Sequence, residues 1–333
     1  MKLKISLFSI LATVSLVIAL ILTNVDWTIA TVGNNPVGRI IVAENDSQIT
    51  AGKLLYVGDT LQPKSAANVV VLCYNNGQTW NLPTGNVSRV SDRCQPPTQG
   101  LDCTDRRNGC RNDDGRSPIR NPNTPYIISP YKTDLINDRP PISWQIVPGI
   151  TDYTVRIQDI TGSGVNWERI ANTTDNEIKW NYPPDVEPLQ PGRKYKLIVE
   201  AKTESPEKLA APGEAIFAML KKEDIKQVRD VVDRINKLSI PKEEKSLQDL
   251  YSIYHGKNLI SEIQEMLESL VKDGSQTAQV HRKLGDIYFK QGLLELAKSR
   301  YGMAIKLAKI AGDTVELEKA QTGFDRVNEA QAF

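Results

Sequence analysis

Hydrophobic and polar positions follow three different patterns along this chain, and each predicts a different kind of structure. Residues 5–22 form an apolar run behind Lys2 and Lys4. From about residue 36 to about residue 203, short β-branched runs alternate with turn residues, as in antiparallel strands. From about residue 204 onward, Lys, Glu, Leu and Ala prevail and apolar positions recur with a helical period. The sequence therefore predicts an N-terminal leader or anchor, then β-domains, then α-helices.

The N-terminal run predicts export. Its length lies between that of a signal-peptide core and that of a membrane-spanning helix. A small-x-small site at Thr28, Ile29 and Ala30 follows it, which favours a cleaved signal peptide (residues 1–30) over a retained anchor. In either case we expect the rest of the chain in the periplasm or another extracytoplasmic compartment, with membrane contact only through the N-terminal segment.

An exported chain usually pairs its cysteines in disulfides, and this one has four of them. They are Cys73, Cys94, Cys103 and Cys110. Cys73 and Cys94 flank a predicted hairpin, while Cys103 and Cys110 close a short polar loop, so we prefer these two pairs among the possible connectivities. Because residues 93–123 have almost no apolar positions, they predict a disulfide-stapled linker between two β-domains.

Metal binding is the alternative role for this linker, and the spacing argues against it. Zinc sites favour tight C-x2-C pairs with His nearby, whereas eight and six residues separate these cysteines and both histidines lie far away. Residues 112–115 (NDDG) lack the alternating acidic ligands of a calcium loop. We therefore expect no metal and no cofactor.

The first β block spans residues 36–92. Its strands alternate, with Val69, Val71 and Cys73 on one face and the residues between them on the other, and Asn76-Gly77 predicts a hairpin turn. Its pattern of turns and strands resembles the FecR-type β-domain of bacterial envelope proteins, and the resemblance implies a small antiparallel β-domain. The residues that carry it are Gly38, Gly52, Gly58, Asp59, Leu61 and Gly77.

The second block spans residues 124–203 and has strand-like runs at the spacing of a β-sandwich, with Trp144 and Tyr153 at core-facing positions. Residues 189–201 (LQPGRKYKLIVEA) resemble the late strand of a fibronectin type III domain. The resemblance implies an immunoglobulin-like sandwich in which Tyr195 makes the corner hydrogen bond, with Leu197 and Val199 facing inward.

The third block, residues 214–333, is predicted to be helical and repeats with a period of thirty-four residues. The clear copy, residues 278–311, resembles a tetratricopeptide repeat, whereas the preceding copy is degenerate. The residues that carry the resemblance are Leu284, Gly285, Tyr288, Gly292, Ala297, Tyr301 and Ala304. An amphipathic helix before the repeats and a capping helix after them complete the predicted domain. The fold class is thus multidomain, β followed by α.

The sequence contains few features that could support nucleic-acid binding or catalysis. Forty-one basic residues balance forty acidic ones, so there is no basic field for nucleic acid. Neither histidine, His255 or His281, belongs to a catalytic motif, and we interpret both as packing or surface residues. We therefore expect that the protein is not an enzyme.

Tetratricopeptide arrays bind partners along the first helix of each repeat, and that resemblance implies a groove that takes a protein or peptide. Its residues here are Gln279, Arg282, Asp286, Phe289 and Lys290. The opposite interpretation, equally weighted, is a merely solvated face, because two repeats make a short groove.

The first functional hypothesis is a non-catalytic scaffold or adaptor of the cell envelope, with its modules in series. The module order resembles that of multi-module envelope proteins of cyanobacteria. The alternative is a carbohydrate- or cell-wall-binding accessory protein in which Trp167, Trp180 and Tyr182 stack on sugar rings. A transmembrane sensory regulator is a weaker third hypothesis, because only four residues precede the apolar run.

Overall fold

Strands come before helices in the chain, as the pattern predicts. The computed structural model describes residues 35–95, 123–162, 166–172, 177–202 and 211–332. The predicted leader (residues 1–30), the interior of the predicted linker, and Cys103 and Cys110 lie outside these ranges. Residues 36–333 belong to one unit.

The N-terminal β-module (residues 36–94) contains a four-stranded sheet in the order β2-β1-β4-β5 and a two-stranded pair β3-β6. Its strands are β1 (Gly38–Glu44), β2 (Leu54–Leu55), β3 (Thr60–Leu61), β4 (Asn68–Cys73), β5 (Thr79–Asn81) and β6 (Ser88–Arg89). The predicted alternation of β4 is confirmed: Val69, Val71 and Cys73 face the core of the module. Val70 and Leu72 face a second core, which is formed with helices.

The predicted disulfide between Cys73 and Cys94 is confirmed. The two Cα atoms are 4.8 Å apart, and the bond joins the end of β4 to the residues just after the 3-10 turn Val90–Asp92. Both cysteines are buried among the apolar residues of the β-module. Cys94 therefore belongs to the module core, and the linker that was expected to begin at residue 93 begins after it.

The two-sheet module (residues 124–220) has one sheet in the order β11-β10-β13-β14-β8 and another in the order β12-β9-β7. Its strands are β7 (Tyr126–Ser129), β8 (Asp134–Leu135), β9 (Ile142–Gln145), β10 (Asp152–Asp159), β11 (Asn166–Asn172), β12 (Glu177–Trp180), β13 (Lys194–Ala201) and β14 (Gly213–Met219). As predicted, Trp144 and Tyr153 are buried in the core, as are Leu197 and Val199. The hydroxyl of Tyr195 accepts a hydrogen bond from the backbone N–H of Gln190 at 2.8 Å, which is the expected corner bond.

Strand β14 corrects the predicted boundary between β and α structure. The sequence places that boundary near residues 203–215 and starts the helical domain at residue 214, yet residues 213–219 pair with β13 along their length and with β8 in parallel. Gly213, Ala215, Phe217 and Met219 are buried in alternation, as in a half-buried strand. The prediction was wrong because Ala, Glu and Met favour helices. In the fold, pairing with β13 holds these residues in an extended conformation.

The helical module (residues 222–332) contains six helices in the described part of the chain. They are α1 (Lys222–Asn236), α2, α3 (Ile260–Lys272), α4 (Ala278–Lys290), α5 (Leu294–Ala311) and α6 (Thr314–Ala332). Helix α2 runs through Lys242–Glu244, a π-helical stretch Lys245–Leu250, and Tyr251–Gly256. Helices α2–α3 and α4–α5 correspond to the two predicted repeats, α1 to the predicted amphipathic helix and α6 to the capping helix.

The modules pack against one another instead of standing in series. Apolar residues of β1 and β4 share a buried cluster with residues of α1 and α2, although the two-sheet module lies between them in sequence. The buried members are Ile41, Val70, Leu72, Val228, Val231, Ile235, Ile253 and Leu259. Both faces of the four-stranded sheet are therefore covered, one by its own module and one by helices.

The hairpin between β4 and β5 abuts helix α2 at Gly77. This glycine has a φ of +64°, and a Cβ placed on it would overlap the backbone of Ser252 and Ile253. Gly85 has a similar φ of +75°, but a Cβ there would meet open space. A comparison of substitutions at these two glycines therefore separates the free-energy cost of a strained left-handed backbone from the cost of a steric overlap with α2.

We predict that Gly77→Ala destabilises the protein more than Gly85→Ala does. Both substitutions strain a left-handed backbone by about 1–2 kcal/mol, but only the first forces the hairpin away from α2, for a further ~1–3 kcal/mol. Chemical denaturation of the oxidised protein measures both values. Equal losses in the two variants would contradict close packing between the hairpin and the helix.

Candidate functional site

The junction between the β-module and α2 is built around the guanidinium group of Arg39. This side chain lies on β1 and is 1% exposed. Its Nε donates to Asp249 Oδ1 at 2.9 Å, its Nη2 to Glu244 Oε1 at 2.6 Å, and its Nη1 to the Gly52 carbonyl at 2.6 Å. The Tyr74 hydroxyl donates to the same Asp249 oxygen at 2.7 Å. One buried cation is thus held by carboxylates from a different module.

In this network, burial and charge pairing shift the pKa values of the buried groups in opposite directions. Burial acts to lower the pKa of Arg39, but the hydrogen bond to Glu244 and the nearby charges outweigh it, so the pKa is raised and the cation persists. Burial raises the pKa of the Asp249 carboxyl, while the hydrogen bond from Tyr74 and the charge of Arg39 act against that shift. Because a buried charge is stable only when it is paired and hydrogen-bonded, the β-module requires α2 in place.

Sequence reasoning missed this network. Arg39 stands in a strand among apolar residues, and Asp249 stands in the degenerate first repeat, 210 positions away. The only local signal is a charged residue inside the first strand run. The π-helical stretch Lys245–Leu250, which carries Asp249, has no counterpart in the repeat pattern and lies at this junction.

The predicted partner groove on α4 is largely used by the protein itself. Arg282 and Asp286 are 2% and 6% exposed. Arg282 donates from Nη1 to Asp286 Oδ2 at 2.8 Å and from Nε to Glu316 Oε2 at 2.6 Å, and the Tyr301 hydroxyl donates to Asp286 Oδ1 at 2.7 Å. These side chains therefore join α4 to α5 and α6, and partner binding through them stays a prediction that their burial makes difficult.

Of the other three groove residues, one is buried and two are partly exposed. Phe289 is buried and belongs to the same apolar cluster as Ile128 of β7. Gln279 and Lys290 remain partly exposed. The structure therefore leaves only two of the five predicted residues within reach of another molecule.

The two-sheet module is fastened to the helical module by polar contacts as well. Gln291, just after α4, donates from Nε2 to the Ile128 carbonyl at 3.1 Å, and its own carbonyl accepts from the Tyr126 hydroxyl. Thr133 Oγ1 accepts from the backbone N–H of Ile260 at 2.9 Å and so caps the first turn of α3. The helical module is thus bound to both β-modules.

The three rings proposed to stack on sugars do not form an exposed platform. Trp167 and Tyr182 are buried in the core, and Trp180 packs against it. The indole Nε1 of Trp167 donates to the Tyr182 hydroxyl at 2.9 Å, and the Trp167 and Trp180 ring centroids are 6.1 Å apart. Aromatic residues near the strand ends here fill the space between the two sheets, so carbohydrate binding through these three rings loses its support.

Two open clefts occur where helices meet sheets. One, of about 310 Å³, lies between α3 and the three-stranded sheet and is lined by Ser129, Pro141, Ser143, Lys179, Ser261, Gln264, Glu265 and Glu268. All of its lining residues except Pro141 have polar or charged side chains. The other, of about 300 Å³, lies between β5 and α1 and is lined by Val70, Thr79, Asn81, Glu223, Lys226, Gln227, Asp230, Val231 and Arg234.

Glu262 and the two histidines are further buried or half-buried ionisable groups of the helical module. Burial raises the pKa of Glu262 on α3 to about 7, where the backbone N–H of Ile136 donates to its Oε1 at 3.4 Å. Burial lowers the pKa of His255 to about 4, and its ring stacks on Tyr251. Burial also lowers the pKa of His281, which contacts the carbonyl of Ser275. The histidines pack in the interior, in line with the sequence interpretation.

Comparisons with known proteins leave the class of this protein open. No protein-family model matches the chain, and no curated protein matches it either. In the described ranges, no helix is long and apolar enough to cross a bilayer; residues 5–22 lie outside them. The same ranges contain no group of three or more His, Cys, Asp or Glu side chains arranged to hold a metal ion.

We predict that Asp249→Ala lowers the free energy of unfolding by about 3–5 kcal/mol, because it leaves the buried Arg39 cation without its fully buried carboxylate partner. The exposed pair Arg156–Glu168, at 2.7 Å, is the matched control, and Glu168→Ala should cost less than about 1 kcal/mol. The double variant Arg39→Met with Asp249→Leu should lose less stability than Asp249→Ala alone. Urea unfolding measures all three, and equal losses for the two single variants would sink the idea.

We predict that Glu262→Gln stabilises the protein at neutral pH. The carboxyl has a folded pKa of about 7 against an ordinary 4.5, so stability falls as the pH rises from about 4.5 to about 7 and stays low above it. The neutral variant should gain up to about 3 kcal/mol at pH 8 and nothing near pH 4.5. Thermal unfolding across this range is the measurement, with the exposed Glu329→Gln as the control. A gain that does not depend on pH would contradict the assignment.

Proposed function

We propose that the protein is a non-catalytic scaffold or adaptor of the cell envelope, exported or held in the membrane by residues 5–22. Its helical module fixes the two β-modules in one arrangement and also binds a protein partner. The observation that carries this proposal is the pair of junctions through which the helical module holds both β-modules, with Arg39 buried in one and Gln291 in the other.

The finer fold assignments belong to this proposal. An immunoglobulin-like or fibronectin type III-like sandwich is supported by consecutive strands that divide between two sheets and by the corner bond of Tyr195. Tetratricopeptide-like packing is supported by Gly285, since a Cβ there would overlap the ring of Tyr301. A FecR-like β-domain is supported by the turn glycines Gly52 and Gly77, both at positive φ. Modules of these kinds bind more often than they catalyse.

The proposed partner surface moves from α4 to the outer face of α5. Leu296, Met303 and Ile310 recur every seven residues there and are 39%, 41% and 74% exposed. Seven residues are close to two helical turns, so the three side chains form one apolar stripe. Exposed Lys306 and Lys309 flank its C-terminal half. An apolar stripe with a basic border fits an acidic amphipathic helix of a partner protein.

One observation favours carbohydrate or cell-wall binding as the second candidate. The cleft between α3 and the three-stranded sheet presents the hydroxyls of Ser129, Ser143 and Ser261 next to carboxylates and Lys179. Hydroxyls and charges that converge in a cleft suit a small polar ligand such as a sugar. Titration calorimetry with chitin oligosaccharides and with muropeptides tests it, and heat that Ser143→Ala leaves unchanged would remove the cleft from consideration.

We predict that a photo-crosslinking residue at Met303 captures one protein species in intact cells. The same probe at Val87, which is 62% exposed in the β-module, is the control and should capture none. Leu296→Glu should remove the adduct, because it places a charge in the apolar stripe. Mass spectrometry identifies the species, and an adduct that survives Leu296→Glu or forms equally at Val87 would refute the proposed surface.

A further inference from the structure

Strand β5 ends its sheet, and its outer edge is not paired by any strand in the described part of the chain. The strand pairs with β4 through Val71↔Trp80 and the positions on either side. The backbone N–H of Cys73 donates to the Gln78 carbonyl, and the N–H of Leu82 donates to the Val69 carbonyl. Hydrogen bonds to β4 thus involve residues 78 and 82 and, by the antiparallel alternation, Trp80.

The backbone groups of Thr79 and Asn81 consequently point away from β4. In an antiparallel ladder, consecutive residues direct their N–H and C=O groups to opposite sides of the strand. Both residues line the cleft of about 300 Å³ beside α1. The two residues of the free edge therefore border an open cleft whose other wall is α1.

Helix α1 forms the opposite wall of this cleft. Its cleft-lining residues Glu223, Lys226, Asp230 and Arg234 recur every three or four residues, so they form one stripe of alternating charge along the helix. All four are exposed, and Lys226 donates to Asp230 within the stripe. The stripe covers eleven helical steps, about 16 Å, which equals about five residues of an extended strand.

The other face of an added strand would meet a different surface. The side chain of Trp80 points to the opposite side of the sheet from Thr79 and Asn81, and it packs partly buried against the core of the β-module. A strand beside β5 thus has a charged environment on one face and an apolar ring on the other. Alternate residues of such a strand would be charged and apolar.

We propose that the outer edge of β5 and the charged stripe of α1 bind a short extended peptide of a partner protein by strand addition. The peptide has about five residues that alternate between charged side chains under α1 and apolar side chains beside Trp80. Backbone hydrogen bonds to Thr79 and Asn81 supply affinity, and the alternating charges of α1 supply the register. This site goes beyond the proposed function, because it uses a different surface and a different ligand conformation from the α5 stripe.

A second copy of the chain is a poorer occupant. Strand β5 has three residues, so two copies paired edge to edge would bury far less than the roughly 1,200–2,000 Å² of a stable interface. The two α1 helices would also have to pass each other over the added strand. A single extended peptide avoids both problems.

The test begins with selection of a displayed library of random ten-residue peptides on the purified protein. We expect enriched sequences that alternate charged and β-branched or aromatic residues. Amide hydrogen exchange should then show that a synthetic enriched peptide slows exchange at Thr79 and Asn81 and leaves the already bonded Trp80 unchanged. Failure to enrich any peptide, or enrichment without this protection, would overturn the proposal.

Two variants separate the backbone and charge contributions. Asn81→Pro removes one outward N–H, which an edge strand tolerates, and should weaken peptide binding in fluorescence anisotropy at least tenfold. Should this variant unfold, Lys226→Glu with Arg234→Glu tests the stripe instead and should weaken binding similarly, whereas Lys237→Glu, just past the end of α1, leaves it unchanged.

Light scattering of the wild type distinguishes the remaining occupant. A dimer that Asn81→Pro dissociates would make a second copy the ligand and refute the peptide. The Met303 crosslink does not depend on these variants. Failure of either site is therefore distinguishable from failure of the other.

Discussion

The buried guanidinium of Arg39 is the constraint on which the arrangement of the modules depends. A cation that is 1% exposed requires compensating charge, and its carboxylate partners, Asp249 and Glu244, belong to α2. Removal of the helix would leave this charge in an apolar setting, at a cost of several kcal/mol. The β-module therefore cannot keep its present interior without the helical module. That dependence explains why residues separated by most of the chain form one unit.

The face of α4 that the sequence predicts as a partner groove is largely occupied by contacts within the chain. Side chains on α4 that a solvent-facing groove would display are joined to α5 and α6, or lie in the cluster that contains Ile128 of β7. Thr133 of the two-sheet module caps α3 in place of a local residue. These contacts make the predicted groove part of a junction inside the chain. The proposed partner surface therefore lies elsewhere, on the outer face of α5.

Much of the local structure could be predicted from the sequence, because it depends on neighbours. The alternation of β4, the corner bond of Tyr195, the helical hairpins and the bond between Cys73 and Cys94 all follow from short-range patterns. Strand β14 and the Arg39 network do not. The former has helix-favouring residues that only its neighbouring strands hold extended, and the latter joins positions 210 residues apart. The same limit applies to the α4 groove, whose residues were placed correctly on the helix but whose neighbours were unknown.

Two open surfaces, the edge of β5 and the α5 stripe, lie on modules that are joined by buried contacts. The edge of β5 lies beside α1, and α1 shares a buried cluster with β1, β4 and α2. The α5 stripe lies on the same helical module, and α5 packs on α4 through Gly285 and Tyr301. Both surfaces belong to one compact unit, so ligands bound to them at the same time would be held close together. In the proposed adaptor, two partners bound in this way would meet at a high effective concentration. The buried Arg39 network contributes to this arrangement because it joins the β-module, which carries the edge of β5, to the helical module, which carries the α5 stripe.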